Sequence, residues 1–448
     1  PTVFREGVRH YLRAHAYGNA DTNDLWVALG QAAKQAVPEL MDGWIFQPGY
    51  PLVTVRQSHE TELVLSQQRF TYLSSPESTE QRWQIPVPFR ITAGGTTEHR
   101  RLLLTDREVR VSLPKGVQHL FVNEAGHGFY RVRYESSLLQ RILEAGVDHL
   151  APIERFNLVS DVWATTVSGL TPLSDYVHLT SHFTGERDKN VWAVLLDSFS
   201  FLNRIIATED RPVLEAFVRA RLTPAVTALT WQPQAGEDEL VRQLRGELIG
   251  ALGKLGNDPA IQAQAAEQYQ RYRADRSGVD PNLIPALVAI LAHTGDEARY
   301  NEFSELSRTA TTPQEERRYL FALAAFQSPA LLARTLARTV NGEIRTQDAP
   351  FVVSAVLGNV SGREQAWEFV KTTWDQMDRL FPKQGLRRMC GGVVALATAE
   401  FEQDVREFFL SRKIDLGGKT LEQYLEQLRI AVALRNRESR SLRELLRP

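Results

Sequence analysis

From about Glu135 onward the apolar residues recur at steps of three and four, and they keep that period for some 310 residues. This commits the region to α-helix, because a stripe repeating every 3.6 residues falls on one face of a helix and on both faces of a strand. A start signal recurs along it, a capping residue followed directly by proline, at Thr171-Pro172, Asp258-Pro259, Asp280-Pro281, Thr312-Pro313 and Ser328-Pro329. Proline suits the first helical position, where the N–H it lacks would be unpaired anyway. Glu315, three residues after Thr312, predicts a capping box there. In the most regular segment, 366–381, Trp367, Val370, Trp374, Met377 and Phe381 share one face. Roughly fifteen helices with short loops and no strands predict a HEAT- or armadillo-like array of helix pairs that curves into a bowl. No crisp sequence period accompanies the array.

The region from Gly43 to Tyr134 has a different grammar. Nine short β-branched or aromatic runs, at 52–55, 63–65, 70–72, 83–85, 89–91, 101–104, 109–111, 119–122 and 129–134, alternate with turn signals. Those signals are the prolines and glycine of 47–51, Ser74-Ser75-Pro76, Gly94-Gly95 and Pro114-Lys115-Gly116. Strands at this density predict an antiparallel β-sandwich. Before it, Phe4, Val8, Tyr11, Leu12 and His15 mark the face of one helix, which Gly18 and Asn19 are placed to end. Asp21 then caps a second, with Asp24 in a capping-box position and Leu25, Ala28 and Leu29 as its stripe. Two short helices cannot close a core and need a partner.

Composition excludes some classes. A formal charge of −2 gives no reason to expect nucleic acid or acidic lipid as a partner. The one cysteine, Cys390, rules out an intramolecular disulfide framework and fits a reducing, cytoplasmic compartment. No apolar run approaches the ~20 residues a membrane-spanning helix needs. The first residues lack the layout of a signal peptide, and any address or anchor of a longer parent would lie outside this sequence.

Few stretches suggest chemistry. His59-Glu60-Thr61-Glu62-Leu63 and His178-Leu179-Thr180-Ser181-His182 each approach the H-E-x-x-H spacing that sets two imidazoles one turn apart with a glutamate beside a metal-bound water. The first lacks the second histidine and the second lacks the glutamate, so the first reads as a polar strand face and the second as helix-surface or interhelical histidines. The glycines at 126 and 128 lead into a strand without the lysine and helix of a phosphate loop, which makes them a turn. Cys390 lies within an apolar run and reads as a small buried side chain. No G-x-S-x-G elbow occurs. The arginines at 435, 437, 440, 443 and 447 read as the solvated face of a last helix.

Six stretches, at 17–29, 40–55, 128–135, 158–179, 366–381 and 421–446, together resemble successive signatures of the zinc aminopeptidases related to aminopeptidase N, puromycin-sensitive aminopeptidase and the endoplasmic reticulum aminopeptidases. They occur in that family's order and cover the chain end to end. The resemblance implies that residues 1–44 are the last helices of a thermolysin-like catalytic domain, 45–134 a β-sandwich and 135–448 a helical bowl. The family's G-x-M-E-N stretch, its H-E-x-x-H with a downstream glutamate and its catalytic tyrosine have no counterpart here; methionines only at 41, 377 and 389 exclude the first.

The chain is therefore expected to be a non-catalytic piece of an aminopeptidase that removes N-terminal residues from peptides, with no metal of its own and zinc in the full-length parent. Its implied partners are the missing upstream catalytic domain and peptide substrates. The bowl would cap the active site and restrict access to peptides, and a cation on it would grip a peptide carboxylate, since a guanidinium does so with two parallel hydrogen bonds. Arg387 and Arg388, read as the start of a helix after Gly385, are the candidates because some relatives carry a functional arginine near this position. A stand-alone helical-repeat module that binds peptides or a protein is the alternative from another class.

Overall fold

A computed structural model describes residues 2–73, 81–412, 414 and 416–447. The chain forms two compact units, Pro1–Thr171 and Pro172–Pro448.

The first unit opens with α1 (Thr2–Ala14), α2 (Thr22–Ala33) and α3 (Val37–Ile45). Asp21 caps α2 through the amides of Asn23 and Asp24, and the Asp24 carboxylate returns a bond to the Asp21 amide, completing the box. The end of α1 departs from expectation, for Tyr17 rather than Gly18 or Asn19 takes the left-handed conformation, at φ 60°. The α1 stripe is only partly used. Gly7 lies against Leu29 of α2, so close that a Cβ would come within 2.7 Å of its side chain. Phe4 and Leu12, at 62% and 61% exposure, are left uncovered within the unit.

Seven strands follow among the described residues: β1 (Pro51–His59), β2 (Glu62–Arg69), β3 (Ile85–Ala93), β4 (Thr96–Leu104), β5 (Glu108–Ser112), β6 (Val117–Val122) and β7 (Arg131–Tyr134). They form one sheet in the order β5-β2-β1-β7 and a second in the order β4-β3-β6. The expectation of purely antiparallel strands fails at one pair, since β7 runs parallel to β1, with Leu52 opposite Arg131 and Val55 opposite Tyr134. Parallel neighbours need a long crossover, and here the whole of β2 to β6 intervenes.

The runs at 70–72 and 83–85 are not strands of their own. At Trp83 the reason is Gln67: its buried side chain accepts from the Trp83 amide and donates to the carbonyls of Trp83, Leu104 and Asp106, doing a ladder's work with one amide. The Ser74-Ser75-Pro76 signal lies outside the described residues. Pro86 and Pro88 are tolerated in β3 because β6 pairs only from Phe89 onward, leaving that half of the strand an edge.

Helices α4 (Ser136–Glu144) and α5 (Pro152–Val167) complete the unit. Two buried carboxylates of α5 reach one sheet each. Glu154 pairs with Arg90 of β3 (Nη2 to Oε2 2.9 Å) and accepts from the amides of Ala125 and Ala151, both at 2.9 Å. Asp161 accepts from Arg131 Nη1 and the Val132 amide of β7, both at 2.9 Å. Burial would raise the Glu154 carboxyl, but Arg90 and the two amides outweigh it and hold the group below the usual carboxylate range. At Asp161 burial wins and pushes the carboxyl up to about 6 against the pull of Arg131.

The second unit is helical throughout its described residues: α6 (Leu173–Ser181), α7 (Lys189–Ile205), α8 (Arg211–Leu229), α9 (Glu239–Lys254), α10 (Pro259–Ala274), α11 (Ile284–His293), α12 (Glu297–Thr309), α13 (Pro313–Ala322), α14 (Pro329–Arg338), α15 (Ala349–Gly358), α16 (Arg363–Leu380), α17 (Lys383–Cys390), α18 (Ala399–Ser411), α19 (Thr420–Glu438) and α20 (Leu442–Leu445). Asp258 and Thr312 cap as their sequence predicts, and α14 starts at Pro329.

Two start signals are displaced. Asp280 closes a turn onto the Asn282 amide and α11 begins only at Ile284; Thr171 donates to the Thr165 hydroxyl and α6 begins at Leu173. The Thr312 box is incomplete, because the Glu315 carboxylate is drawn to Arg276 and Thr311. The last arginines do not share one solvated helix either: α19 ends at Glu438, and Arg435 turns inward to the Ala397 carbonyl at 3.2 Å.

All five stripe residues of α16 are buried, and Trp374 sits edge-on to Phe408 and Phe409 of α18 at 5.5 and 6.0 Å. Trp374→Ala is expected to cost about 3–5 kcal/mol, and an unchanged urea midpoint would show that this face does not carry the packing. Glu154→Gln removes the nearer counter-charge of Arg90, leaving it Glu124 at 3.8 Å, and is expected to cost about 3 kcal/mol at pH 7. Because the native Glu154 pKa is depressed, its contribution is present above the unfolded value and lost as pH falls through the native one. The gap in unfolding free energy between wild type and Glu154→Gln should therefore narrow on acidification; a gap constant from pH 7 to pH 3 would contradict it.

Candidate functional site

A cavity of about 920 Å³ lies in the second unit, walled by faces of α7, α9, α11 and α15 and by the end of α13 with the turn after it. Its walls come from alternate helices. α9 packs on both α7 and α11, α13 on both α11 and α15, while α8, α10, α12 and α14 pack against these from the sequence positions between.

Small residues leave the space open: Gly250, Ala251, Ala286, Ala289, Ala325 and Gly358 all face it. The polar groups on the wall divide into held and unheld. Glu247 is held by Lys189 at 3.1 Å, and Lys189 also donates to Gln243. Asn359 is held by the carbonyls of Ala324 and Phe326. His293 is bonded by the Gln327 amide at 2.6 Å, and burial, with the nearby charge of Lys254, pushes its pKa down to about 4, so it is neutral at pH 7. Lys254 is part-buried, and burial lowers its pKa as well.

Arg387 and Arg388 lie elsewhere. Helix α17 starts at Lys383 behind Pro382, so the two arginines occupy its last turn rather than its start, and Gly385 is inside the helix because it lies against Pro350, 3.0 Å from where its Cβ would be. The structure separates the pair. Arg387 lines a cavity of about 640 Å³ with Trp374, Asp375, Asp378, Lys383 and Arg412, in which Arg412 bridges Asp375 at 2.7 Å and Lys383 bridges Asp378 at 2.5 Å. Arg388 lies over the Phe351 ring, 5.8 Å from its centroid.

Among the described residues the two histidine stretches do not build a zinc site. His59 ends β1 and Leu63 is fully buried in β2, so that stretch crosses a turn instead of riding a helix. His178 and His182 stack edge to face at 5.0 Å, and among the described residues no three His, Cys, Asp or Glu side chains converge to hold a metal ion. Cys390 is buried, which pushes its thiol pKa up and away from nucleophilic chemistry. Gly126 and Gly128 lie in a tight turn, the first at φ 68°. Among the described residues no helix is long and apolar enough to cross a membrane.

The ERAP1-like C-terminal domain family matches residues 120–430, and the Peptidase family M1 domain matches residues 1–44. Aminopeptidase M1 of Arabidopsis thaliana is 29% identical over 96% of this chain and 51% of its own length. Aminopeptidase 2 of Candida albicans is 27% identical over 99% of this chain and 49% of its own, and glutamyl aminopeptidase of Rattus norvegicus 26% identical over 96% and 46%. The chain thus spans about half the length of the curated relatives it matches.

The cavity wall depends on a contact that sequence reasoning passed over. Gly246, Gly250 and Gly253 fall on one face of α9, spaced by four and three, and there α9 meets the segment leading into α11 and α11 itself. A Cβ at Gly246 would lie 2.3 Å from the Asn282 carbonyl oxygen, which is backbone and cannot rotate away. Gly246→Val must part the two and is expected to cost about 1–3 kcal/mol or more. Gly358, with nothing within 4 Å of a Cβ, is the control, and Gly358→Ala should stay within about 0.5 kcal/mol of wild type. Equal thermal shifts for the two variants would show that the close approach is not real.

Proposed function

The chain belongs to the ERAP1-like C-terminal domain family, and from that premise we propose that it is the carboxy-terminal, non-catalytic part of a zinc aminopeptidase that removes N-terminal residues from peptides. The observation that carries this is the uncovered apolar surface of α1–α3: Phe4, Leu12, Tyr17, Ile45 and Phe46 are exposed, all within or beside the segment that matches the Peptidase family M1 domain. Large apolar side chains left this exposed, several on one short segment, are what a covering neighbour would bury. In this reading residues 1–44 are the last helices of a catalytic domain, whose remainder covers that face.

Residues 45–134 are then a β-sandwich spacer, fastened to α4 and α5, and residues 135–448 a HEAT-like superhelical bowl. The alternation of helices around the 920 Å³ cavity supports the bowl, since an inner layer and an outer layer of helices is what stacked pairs produce. The bowl's inner face caps the active site of the whole enzyme and admits peptides while excluding folded proteins. The metal and the groups that act on the scissile bond belong to polypeptide outside this chain. Of the two arginines, Arg387 is better placed to meet a peptide carboxylate, because it lines a cavity and Arg388 is spent on Phe351.

The chain alone should not hydrolyse a fluorogenic amino-acid amide, and mixing it with separately produced upstream polypeptide from the same coding frame should restore turnover. Phe4→Ser with Leu12→Ser should abolish that restoration without shifting the chain's own unfolding, since both side chains are already exposed. Turnover by the chain alone, with tightly held metal, would overturn the reading.

A further inference from the structure

We propose that Lys254 is a covalent modification site, a reactive amine that condenses with small uncharged aldehydes admitted to the 920 Å³ cavity of the second unit. Three features of the site make the case.

The first is position. The sequence holds only eight lysines. Lys34, Lys115 and Lys419 are exposed, while Lys189, Lys371 and Lys383 are paired with Glu247, Asp404 and Asp378. Lys254 faces the cavity, and it has no hydrogen bond or ion pair among the described residues.

The second is charge. Of the two carboxylates on the wall, Glu247 is held by Lys189, and Asp197 acts on Arg204; neither lies within ion-pairing distance of Lys254. An ammonium lacking a counter-charge and part of its water is disfavoured, and unlike the guanidinium this chain uses elsewhere it can lose its proton. Burial accordingly lowers its pKa.

The third is room. Ala251, Ala286 and Ala289 leave the wall low, so an aromatic or short aliphatic aldehyde fits without moving a helix. The neutral nitrogen adds to the carbonyl carbon, forming the C–N bond. The two amine protons leave with the carbonyl oxygen as water, and the product is an imine, with no oxidant or reductant consumed.

The test needs no peptidase turnover, so it stands or falls separately from the proposed function. The full chain is incubated with benzaldehyde at neutral pH and trapped with sodium cyanoborohydride, and each benzylated lysine is quantified by peptide mass spectrometry. Lys254 should label several-fold ahead of Lys34, Lys115 and Lys419 despite being less exposed, the lead should vanish in denaturing urea, and Lys254→Arg should lose the leading adduct with no other lysine taking its place. Labelling at or below the rate of the exposed lysines would overturn the proposal. So would a lead that survives in urea, which would place the reactivity in the local sequence and not in the cavity.

Discussion

An amphipathic helix has to cover its apolar stripe, and from α8 to α15 the cover comes largely from helices nearby in the chain, while α19 packs on α7 and α20 on α6. Here α9 packs on α7 and α11, and α13 on α11 and α15, with α8, α10, α12 and α14 against them, so much of the unit forms from contacts that are short in sequence. The same requirement explains α1, whose stripe has Gly7, Val8, Tyr11 and His15 partly turned to use and Phe4 and Leu12 left bare. Covered and uncovered stripes are the same physics with and without a neighbour.

Where helices give way to sheets, polar anchors do what stacking cannot. The two sheets share few of each other's hydrogen bonds, and α5 ties both through Glu154 and Asp161, one carboxylate to each. Tyr134 adds a direct link, its hydroxyl bonded to the amide and carbonyl of Val122 across the sheets. Buried carboxylates are tolerable only with partners this complete. The two sites nevertheless come to opposite electrostatic ends: Glu154, with a guanidinium and two amides, is held below the usual carboxylate range, whereas at Asp161, with a guanidinium and one amide, desolvation outweighs its partners.

The cavity follows from the packing around it. Glycines on α9 bring it close to its neighbour, and small residues facing inward keep the wall low, so the inner face stays open where large side chains would have filled it. Lys254 stands on that wall without an ion pair, while the nearby Lys189 is held by Glu247. Arg387 and Arg388 were legible as a basic pair, but not as two residues facing different surroundings, since adjacent positions on a helix point about 100° apart and which one meets a cavity depends on neighbours far along the chain.

The sequence by itself determined the kinds of element and many of their ends: the 3.6 period after Glu135, the buried stripe of α16, the Asp21 box and the Asp258 cap are all local, written within a few residues of backbone chemistry. Even there, competition from afar misled, as when Arg276 drew Glu315 out of its box. The parallel placing of β7 beside β1, the side-chain ladder of Gln67, the two carboxylates of α5 and the meeting of Lys254 with His293 were decided only by the tertiary structure. Their reason is common to all four. Burial and hydrogen-bond satisfaction are settled between residues distant in the chain, and no local period records which distant group will remove the water.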